Sequence, residues 1–419
     1  MSTCNAPPLA VAPVTGRITD IDALRGFALL GILLVNSAAM ASAWYGSGLH
    51  DPAWAGKVDG LVRDVISALF ETKFYLLFSF LFGYSFTLQL ASADREGAAF
   101  VPRFLRRLLG LALFGIGHAL LLFQGDILLT YALLGLLLLG LRQLAPRTAV
   151  TLAVTLLALT VISWSLLAAL ASFAPTDLPV AALHAHAEQV TAAYRRDITS
   201  VIAQHVRDIQ DGVAFVLGFI QAPCALAMFL LGLAAGKTGA LQTLAADPAR
   251  CMKLLRWSLL PGLLGALLYI TPALHGTREH LALWALAIDL LSAPLLAFAW
   301  LLLLLRALHS RIGSTLGAWL APAGRMALSN YLLQSLIGAL IYTAWGWALI
   351  GRVSPLLTLL IALATYGAQL WLSRRWMRTH AYGPAEWLLR ALTRWQWPRW
   401  KRETAGTKPL TAPGENASS

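Results

Sequence analysis

The chain has 419 residues, of which 58% are hydrophobic and only 12% are charged. Soluble domains carry about 25% charged residues, so this composition excludes most cytosolic enzymes, secreted disulfide scaffolds and disordered proteins. The three cysteines are odd in number and scattered, which predicts neither a disulfide framework nor a zinc site. A net charge of +12 would suggest nucleic acid in a soluble protein. In a membrane protein it reflects basic loops on the cytoplasmic face, so no nucleic-acid partner is expected.

Apolar segments recur along the chain at lengths near the roughly 20 residues that cross a bilayer core. They predict an all-α, polytopic helical membrane protein. The predicted spans are Asp20–Ser42, Phe74–Ser92, Phe104–Phe123, Ile127–Leu141, Thr148–Phe173, Gly212–Ala235, Leu254–Ala273, Leu281–Leu305, Met326–Ile350 and Pro355–Ser373. An amphipathic segment, Val58–Phe70, precedes the second span and is expected to lie at the outer interface or to re-enter the membrane.

The basic residues indicate how the spans are oriented. With the N-terminus inside, 24 lysines and arginines fall in the cytoplasmic segments and 8 in the external ones. Cytoplasmic loops of membrane proteins carry an excess of lysine and arginine. The sequence therefore predicts that both termini face the cytoplasm.

Composition also predicts the segments outside the bilayer. The predicted divisions are a cytoplasmic N-terminal segment 1–19, a transmembrane bundle 20–373, an interfacial amphipathic C-terminal helix 374–402 and a disordered tail 403–419. Within the bundle, the polar segment 175–211 is expected to form an external cap of one or two helices. His184 and His186 in this cap are two residues apart and do not share a helix face, so no metal site is predicted.

Two of the spans carry polar residues at membrane depth, where such side chains normally face a protein interior or a water-filled cavity. In the first span, Asp22, Arg25 and Asn36 fall on one helical stripe. Arg25 and Asn36 are 11 residues apart, or about three helical turns, and Arg107 and His118 in the third span have the same spacing. Each span therefore has a basic residue at the inner interface and a polar residue ~16 Å further out. The alternative is that these side chains form hydrogen bonds between helices and so hold the bundle together.

Further polar groups lie near these stripes. Asp126 follows His118 in a very short external hairpin, where a carboxylate can orient or charge an imidazole. In the ninth span, Asn330 and Gln334 share a face just after Arg325. Asp289 is the only acid within the eighth predicted span, and its expected state is either protonated or paired with a basic residue that the sequence does not identify.

Several segments together resemble a known family. The segments are Arg17–Asn36, Lys73–Phe74 with Phe78–Gly83, His118 with Gly125–Leu128 and Tyr131–Ala132, Gly324–Ser335, and Gly383–Arg390. The set resembles the YeiB-like family of bacterial membrane proteins. The resemblance implies a multi-pass protein of the bacterial cytoplasmic (inner) membrane.

The first span also looks like the opening of heparan-alpha-glucosaminide N-acetyltransferase and, more distantly, of bacterial membrane acyltransferases that modify sugars. In the former, an asparagine at the end of the first helix and a histidine in the following loop form the reaction centre. The resemblance implies that Asn36 and His50 are catalytic in this chain.

These observations favour a transmembrane acyltransferase. It would move an acetyl or other acyl group from cytoplasmic acyl-CoA to an extracytoplasmic hydroxyl or amine of an envelope glycan, lipid or small molecule. Arg25, Arg107 and Arg325 would meet the phosphates of the donor through charge-assisted contacts. The expected partners are membrane lipid, acyl-CoA and the acceptor, and the sequence leaves open whether the protein forms a homodimer.

The predicted chemistry uses a histidine in the outer half of the membrane as a general base. His50 is the first choice and His118, with Asp126, the second. An amide would donate to the developing oxyanion. The candidate amides are Asn36, Asn330 and Gln334.

Two other functions remain open at this point. A transporter would use the same polar stripes as a solute pathway, and prolines in three spans are compatible with broken helices. A structural protein without chemistry would require that the stripe residues satisfy one another and enclose no cavity.

Overall fold

The computed structural model describes residues 14–47, 49, 51–97, 99–174, 176–177, 179–275 and 278–402. Three sequence predictions fall wholly or partly outside these residues: the disordered tail 403–419, most of the N-terminal segment 1–19, and the loop histidine His50. The described residues form helices and turns, with no β-strand among them.

The helices are numbered in chain order. They are α1 Val14–Ala41, α2 Lys57–Leu69, α3 Lys73–Arg95, α4 Phe100–Leu121, α5 Leu128–Gly140, α6 Pro146–Phe173, α7 Val180–Arg196, α8 Ile198–Asp208, α9 Ala214–Val216, α10 Ala222–Thr238, α11 Ala240–Ala246, α12 Pro248–His275, α13 Glu279–Leu308, α14 Gly313–Arg325, α15 Ala327–Tyr342, α16 Pro355–Thr379 and α17 Pro384–Arg394. Two π-helical segments, Ile209–Val213 and Leu217–Gln221, connect α8, α9 and α10, and the backbone is kinked at Gly212, which takes an extended φ of 179°.

Within the described residues, 8 helical stretches are long and apolar enough to cross a membrane. Two shorter apolar helices, Leu128–Gly140 and Ala327–Tyr342, occupy the positions of the other predicted spans. Many large apolar side chains point outwards along these helices, as on the lipid-facing surface of a bundle. The protein is therefore a multi-pass, all-α membrane protein.

The ninth predicted span is shorter than expected. It ends at Tyr342, and the following apolar residues fold back along the end of α15. Trp347 N donates to Leu340 O at 2.8 Å, and Ile350 N donates to Tyr342 O at 3.0 Å. Ala348 takes a positive φ of 53° in this turn. The prediction of a helix to Ile350 was wrong because hydropathy does not distinguish an apolar reverse turn from a continuing helix.

A helix that the sequence reading did not identify, α14, crosses α1 at two glycines. A side chain on Gly26 would collide with the Leu320 carbonyl, and one on Gly324 would collide with the Asp22 carbonyl. Tyr366 of α16 donates to the Gly26 carbonyl at 2.7 Å. Small residues at a crossing allow helix backbones to approach closely, and here they fix the polar stripe of α1 in the middle of the bundle.

The predicted cap segment forms two helices, α7 and α8. Tyr194 at the end of α7 donates to Asp208 at 2.6 Å, and its carbonyl accepts from Ala344 N at 2.8 Å. Arg195 donates to the Ile350 carbonyl. The cap is thus attached to the turn after α15. Its position on the external side of the membrane stays a prediction.

The C-terminal region differs from the single interfacial helix predicted over 374–402. Helix α16 continues to Thr379, and a separate amphipathic helix, α17, covers Pro384–Arg394. Glu386 anchors α17 to the start of α15. Its carboxylate accepts from Leu328 N at 2.6 Å, from Ser329 N at 3.1 Å and from Ser329 Oγ at 2.5 Å. Burial raises the pKa of the Glu386 carboxyl, and the hydrogen bonds from Ser329 and Leu328 oppose that rise.

Replacing Glu386 by alanine is expected to destabilise the protein by about 1–3 kcal/mol, because the buried N–H groups at the start of α15 lose their acceptor. Glu386→Gln keeps an acceptor oxygen and is expected to retain most of the stability. Thermal unfolding in detergent measures both. As a control, Glu279→Ala removes an exposed carboxylate that accepts from Thr176 at 2.8 Å, and it is expected to change little. Equal effects of the alanine and glutamine variants would contradict the capping role.

Candidate functional site

His118 lies in the last turn of α4, at the end of the bundle covered by the cap. Its side chain is buried, with a residue exposure of 2%. Leu122 N and Phe123 N both donate to the His118 carbonyl at 2.9 Å, which ends the helix. The short connection to α5 then brings Asp126 back beside the imidazole.

Asp126 and His118 form a buried pair. The Oδ1 of Asp126 lies 2.9 Å from Nδ1 of His118, although the contact is poorly aligned with the ring N–H. The other carboxylate oxygen accepts from Leu129 N at 2.8 Å. Gly115, one turn before His118, permits this arrangement because a Cβ there would lie 2.5 Å from Leu129 N. The carboxylate is therefore held against the imidazole by the start of α5.

Ser335 of α15 occupies the opposite side of the imidazole. Its Oγ lies 2.8 Å from His118 Nε2, and the residue is 2% exposed. The Tyr331 ring, one turn earlier on α15, lies against the imidazole with its centroid 4.8 Å away. His118 of α4, Asp126 of the connection between α4 and α5, and Ser335 of α15 thus meet in space.

The chemistry available to this arrangement follows from its two contacts. A carboxylate at Nδ1 favours the imidazole tautomer that carries its proton on Nδ1. The Nε2 lone pair then faces the Ser335 hydroxyl and can accept its proton. Poor alignment at Nδ1 does not exclude this role, since catalytic hydrogen bonds are often loose before substrate binds. The Asp126–His118–Ser335 site has the partners that a general base requires: an orienting acid and a proton donor.

At the opposite end of α4 and α1 lies a group of arginines. We call Arg25, Arg107, Arg325 and Arg390 the basic cluster. Arg25 is half-buried and donates to Asp22 at 2.9 Å and to Ser85. The Nε atoms of Arg107 and Arg390 are buried without a hydrogen-bond partner among the described residues.

Electrostatic contacts connect the members of the basic cluster. Arg107 is close enough to interact with Arg25, Arg390 and Glu386, and the exposed Arg325 interacts with Asp22. Three carboxylates, Asp22, Glu386 and, at Arg390, Glu96, therefore face the four guanidinium groups. The excess positive charge and the partly unsatisfied donors make this end suited to an anionic ligand such as a phosphate.

Asn330 and Gln334 are not placed as free donors beside His118. Asn330 Nδ2 donates to Ala323 O at 3.1 Å and to Ser373 Oγ at 2.9 Å. Gln334 Nε2 donates to Gln369 Oε1 at 2.8 Å. Because these amide hydrogens are already donated, both residues act in the structure as bonds between helices. These amide hydrogens are therefore not free for acyl-CoA or an oxyanion, and the predicted binding role of the two residues stays a prediction.

Asn36 has a different environment. It is half-buried on α1 and has no hydrogen-bond partner in the described part of the chain. Gln334 approaches the Leu29 carbonyl at 3.5 Å, and Gly338 packs against Met40. The segment of α1 that contains Asn36 therefore runs beside the segment of α15 that contains Ser335. The other implied reaction-centre residue, His50, lies outside the described residues.

A second buried polar centre surrounds Asp289, whose basic partner the sequence analysis did not identify. Asp289 is paired with Lys73, whose Nζ lies 2.5 Å from Oδ1, and both side chains are 0% exposed. Thr72 donates to the other carboxylate oxygen at 2.5 Å. Lys73 is one of the 8 basic residues that the sequence analysis assigned to external segments, but it is the first residue of α3 and fully buried. Its position directly before an apolar run was the signal that could have indicated burial.

The sequence reading also gave no role to Ser335 and Glu386. Each lies in a segment that resembles the YeiB-like family, but the residues they contact are 217 and 57 positions away. No local pattern indicates such a contact.

Among the described residues, no three His, Cys, Asp or Glu side chains are grouped as a metal site would require.

Comparison with known proteins identifies relatives over most of the chain. "Uncharacterized protein YxaH" of Bacillus subtilis is 32% identical over 404 residues, which cover 91% of this chain and 95% of the relative. The chain belongs to the YeiB-like family. "Uncharacterized protein YeiB" of Escherichia coli is 27% identical over 403 residues, covering 90% of this chain and 96% of the relative. This similarity confirms the family predicted from the sequence.

The C-terminal part of this YeiB-like protein also matches a family model. The model is described as "Protein of unknown function (DUF418)" and matches residues 235–396. This range contains Ser335 and Glu386, whereas His118 and Asp126 precede it. A further relative, "Uncharacterized 39.9 kDa protein in amylase 3'region" of Bacillus acidopullulyticus, is 31% identical over 391 residues, covering 90% of this chain and 94% of the relative.

Proposed function

We propose that this protein is an acyltransferase of the bacterial cytoplasmic membrane. It transfers an acetyl or other acyl group from cytoplasmic acyl-CoA to a hydroxyl or amine on the opposite side. The acceptor is an envelope glycan, a lipid or a small molecule. The observation that carries the proposal is the buried imidazole of His118, which lies 2.9 Å from Asp126 and 2.8 Å from Ser335.

The position of the basic cluster supports the same proposal. Arg107 and His118 are separated by 11 residues of one helix, or ~16 Å along its axis. Arg25 and Asn36 repeat this spacing on α1. A donor with a phosphorylated end and a long arm could place its phosphates on the basic cluster and its thioester near His118. With N-in topology, the phosphates would remain on the cytoplasmic side.

Each group has a role in the proposed reaction. His118 is the general base and Asp126 holds its imidazole. Asn36 donates its amide hydrogens to the oxygen on which negative charge develops. Arg25, Arg107 and Arg325 bind the donor phosphates. His50 was the first-choice base in the sequence analysis, and the proposal assigns that role to His118.

The donor site is tested by thermal unfolding of the purified protein with CoA or acetyl-CoA. A ligand that binds only the folded state stabilises it by ~2.7 kcal/mol at a hundredfold excess over Kd, so a clear rise in Tm is expected. Arg107→Gln is expected to lose most of that rise. Arg147→Gln, which changes an exposed arginine at the start of α6, is expected to keep it.

Turnover is measured in proteoliposomes with labelled acetyl-CoA and candidate acceptors in the opposite compartment. Label transferred to an acceptor supports the proposal. Absence of both thioester consumption and stabilisation by CoA would contradict it. Stabilisation by exported solutes alone would favour the transporter.

A further inference from the structure

The hydrogen bond of the Ser335 hydroxyl differs from those of Ser79 and Thr160, two buried hydroxyls on other helices of this protein. Ser79 donates to the Tyr75 carbonyl at 2.7 Å, and Thr160 donates to the Leu156 carbonyl at 2.8 Å. These are the usual bonds to the preceding turn. Among the described residues, the hydrogen-bond partner of Ser335 is instead the imidazole of His118, at 2.8 Å. A bond of this kind polarises the hydroxyl rather than satisfying it within its own helix.

The groups around Ser335 match the requirements for an activated nucleophile. A serine hydroxyl is weakly nucleophilic unless an adjacent base takes its proton, and that base is normally oriented by a third group. His118 is the base and Asp126, at 2.9 Å from its Nδ1, is the orienting group. Such triads are recognised by geometry rather than by chain order. The half-buried amide of Asn36, on the neighbouring segment of α1, can serve the oxyanion.

We propose that Ser335 is the nucleophile of the reaction and carries the acyl group as a covalent ester. The inference rests on the proposed acyltransferase function. In the first half-reaction, Ser335 Oγ attacks the carbonyl carbon of the thioester while His118 Nε2 takes the hydroxyl proton. The C–S bond breaks, the leaving sulfur receives that proton, and acyl-Ser335 and free CoA thiol are formed.

In the second half-reaction, His118 removes the proton of the acceptor hydroxyl or amine as it attacks the ester carbon. The bond to Ser335 Oγ breaks, and the Oγ takes the proton back from His118. The acyl group leaves on the acceptor, and the enzyme returns to its starting state. Donor and acceptor therefore bind at different times, so CoA can leave on its own side before the acceptor enters from the other.

The experiment measures the first half-reaction alone. Protein in detergent is mixed with labelled acetyl-CoA and no acceptor, and CoA release and protein-bound label are followed. The wild type is expected to release up to one CoA per chain in a burst. Digestion and mass spectrometry should then place the acetyl group on the peptide that contains Ser335.

Two variants distinguish a nucleophile from a structural serine. Ser335→Ala is expected to give neither burst nor label. Ser335→Cys is expected to retain a label that neutral hydroxylamine removes, because a thioester replaces the ester. Ser79→Ala serves as the matched control, since Ser79 is a buried serine that contacts Tyr131 at 2.7 Å, and it should keep the burst.

The outcomes separate this inference from the proposed function. Transfer to an acceptor by Ser335→Ala at the wild-type rate, or label on another residue, would overturn the nucleophile while leaving the acyltransferase intact. A wild type that neither consumes acetyl-CoA with any acceptor nor becomes labelled would overturn both.

Discussion

The His118→Ala variant is expected to lose acyl transfer by about 10²–10⁴-fold, the usual contribution of a positioned general base. The physical reason is that Ser335 Oγ has no other hydrogen-bond partner among the described side chains than His118 Nε2, at 2.8 Å. Asp126→Asn is expected to lower turnover less, because the base remains but its preferred tautomer is no longer favoured. Rates of acetyl-CoA consumption in proteoliposomes give both values.

A matched control comes from a second buried histidine at the same end of the bundle. His205 of α8 is 1% exposed, and its Nδ1 lies 3.0 Å from the Leu120 carbonyl. His205→Gln is expected to retain most of the activity. If it loses as much activity as His118→Ala while both proteins remain folded, the loss reflects packing beneath the cap rather than base catalysis.

Replacing Lys73 by methionine is expected to destabilise the protein by about 3–5 kcal/mol, because it leaves the carboxylate of Asp289 buried without a compensating charge. The pair is 2.5 Å apart and 0% exposed on both sides, so solvent cannot replace the lost partner. Unfolding in detergent at increasing denaturant concentration measures the change. Asp289→Leu alone is expected to lower the free energy of unfolding by a similar amount, because it leaves the Lys73 ammonium buried without its partner.

A double variant tests whether the uncompensated buried charge is the cause of the destabilisation. Lys73→Met combined with Asp289→Leu removes both charges, and apolar replacement of a buried pair is often neutral or stabilising. It is therefore expected to recover much of the lost stability. Arg103→Gln breaks an exposed pair with Glu96 at 2.7 Å and should change the free energy of unfolding little. A double variant less stable than either single variant would refute this account.

The sequence could predict those features that depend on neighbours along the chain. Hydropathy indicated the long spans, because about 20 apolar residues must recur wherever a helix crosses lipid. The pairing of His118 with Asp126 was also predictable, since eight residues and one tight turn separate them. By contrast, α14 and the end of α15 at Tyr342 were missed. Their apolar residues belong to a short helix and a reverse turn, which composition alone does not distinguish from a span.

Only the tertiary structure could decide which polar side chains are free to act. Asn36, Asn330 and Gln334 are alike as residue types, and the sequence gave them one role. In the structure, the Asn330 amide donates to the Ala323 carbonyl and to Ser373 Oγ. The Gln334 amide donates to Gln369 Oε1. Asn36 has no such partner in the described part of the chain. A hydrogen bond requires distance and direction, and both come from the packing of helices.

Composition by itself determined that this protein crosses a membrane, because a chain with 12% charge and 58% hydrophobic residues has too little polar surface for water. It also indicated which positions carry a charge or a hydrogen-bonding group in lipid. The partner of each group was decided by the fold. Ser335 meets His118, and Lys73 meets Asp289, across more than 200 residues of chain, because burial leaves a polar group no alternative to a partner on a neighbouring helix.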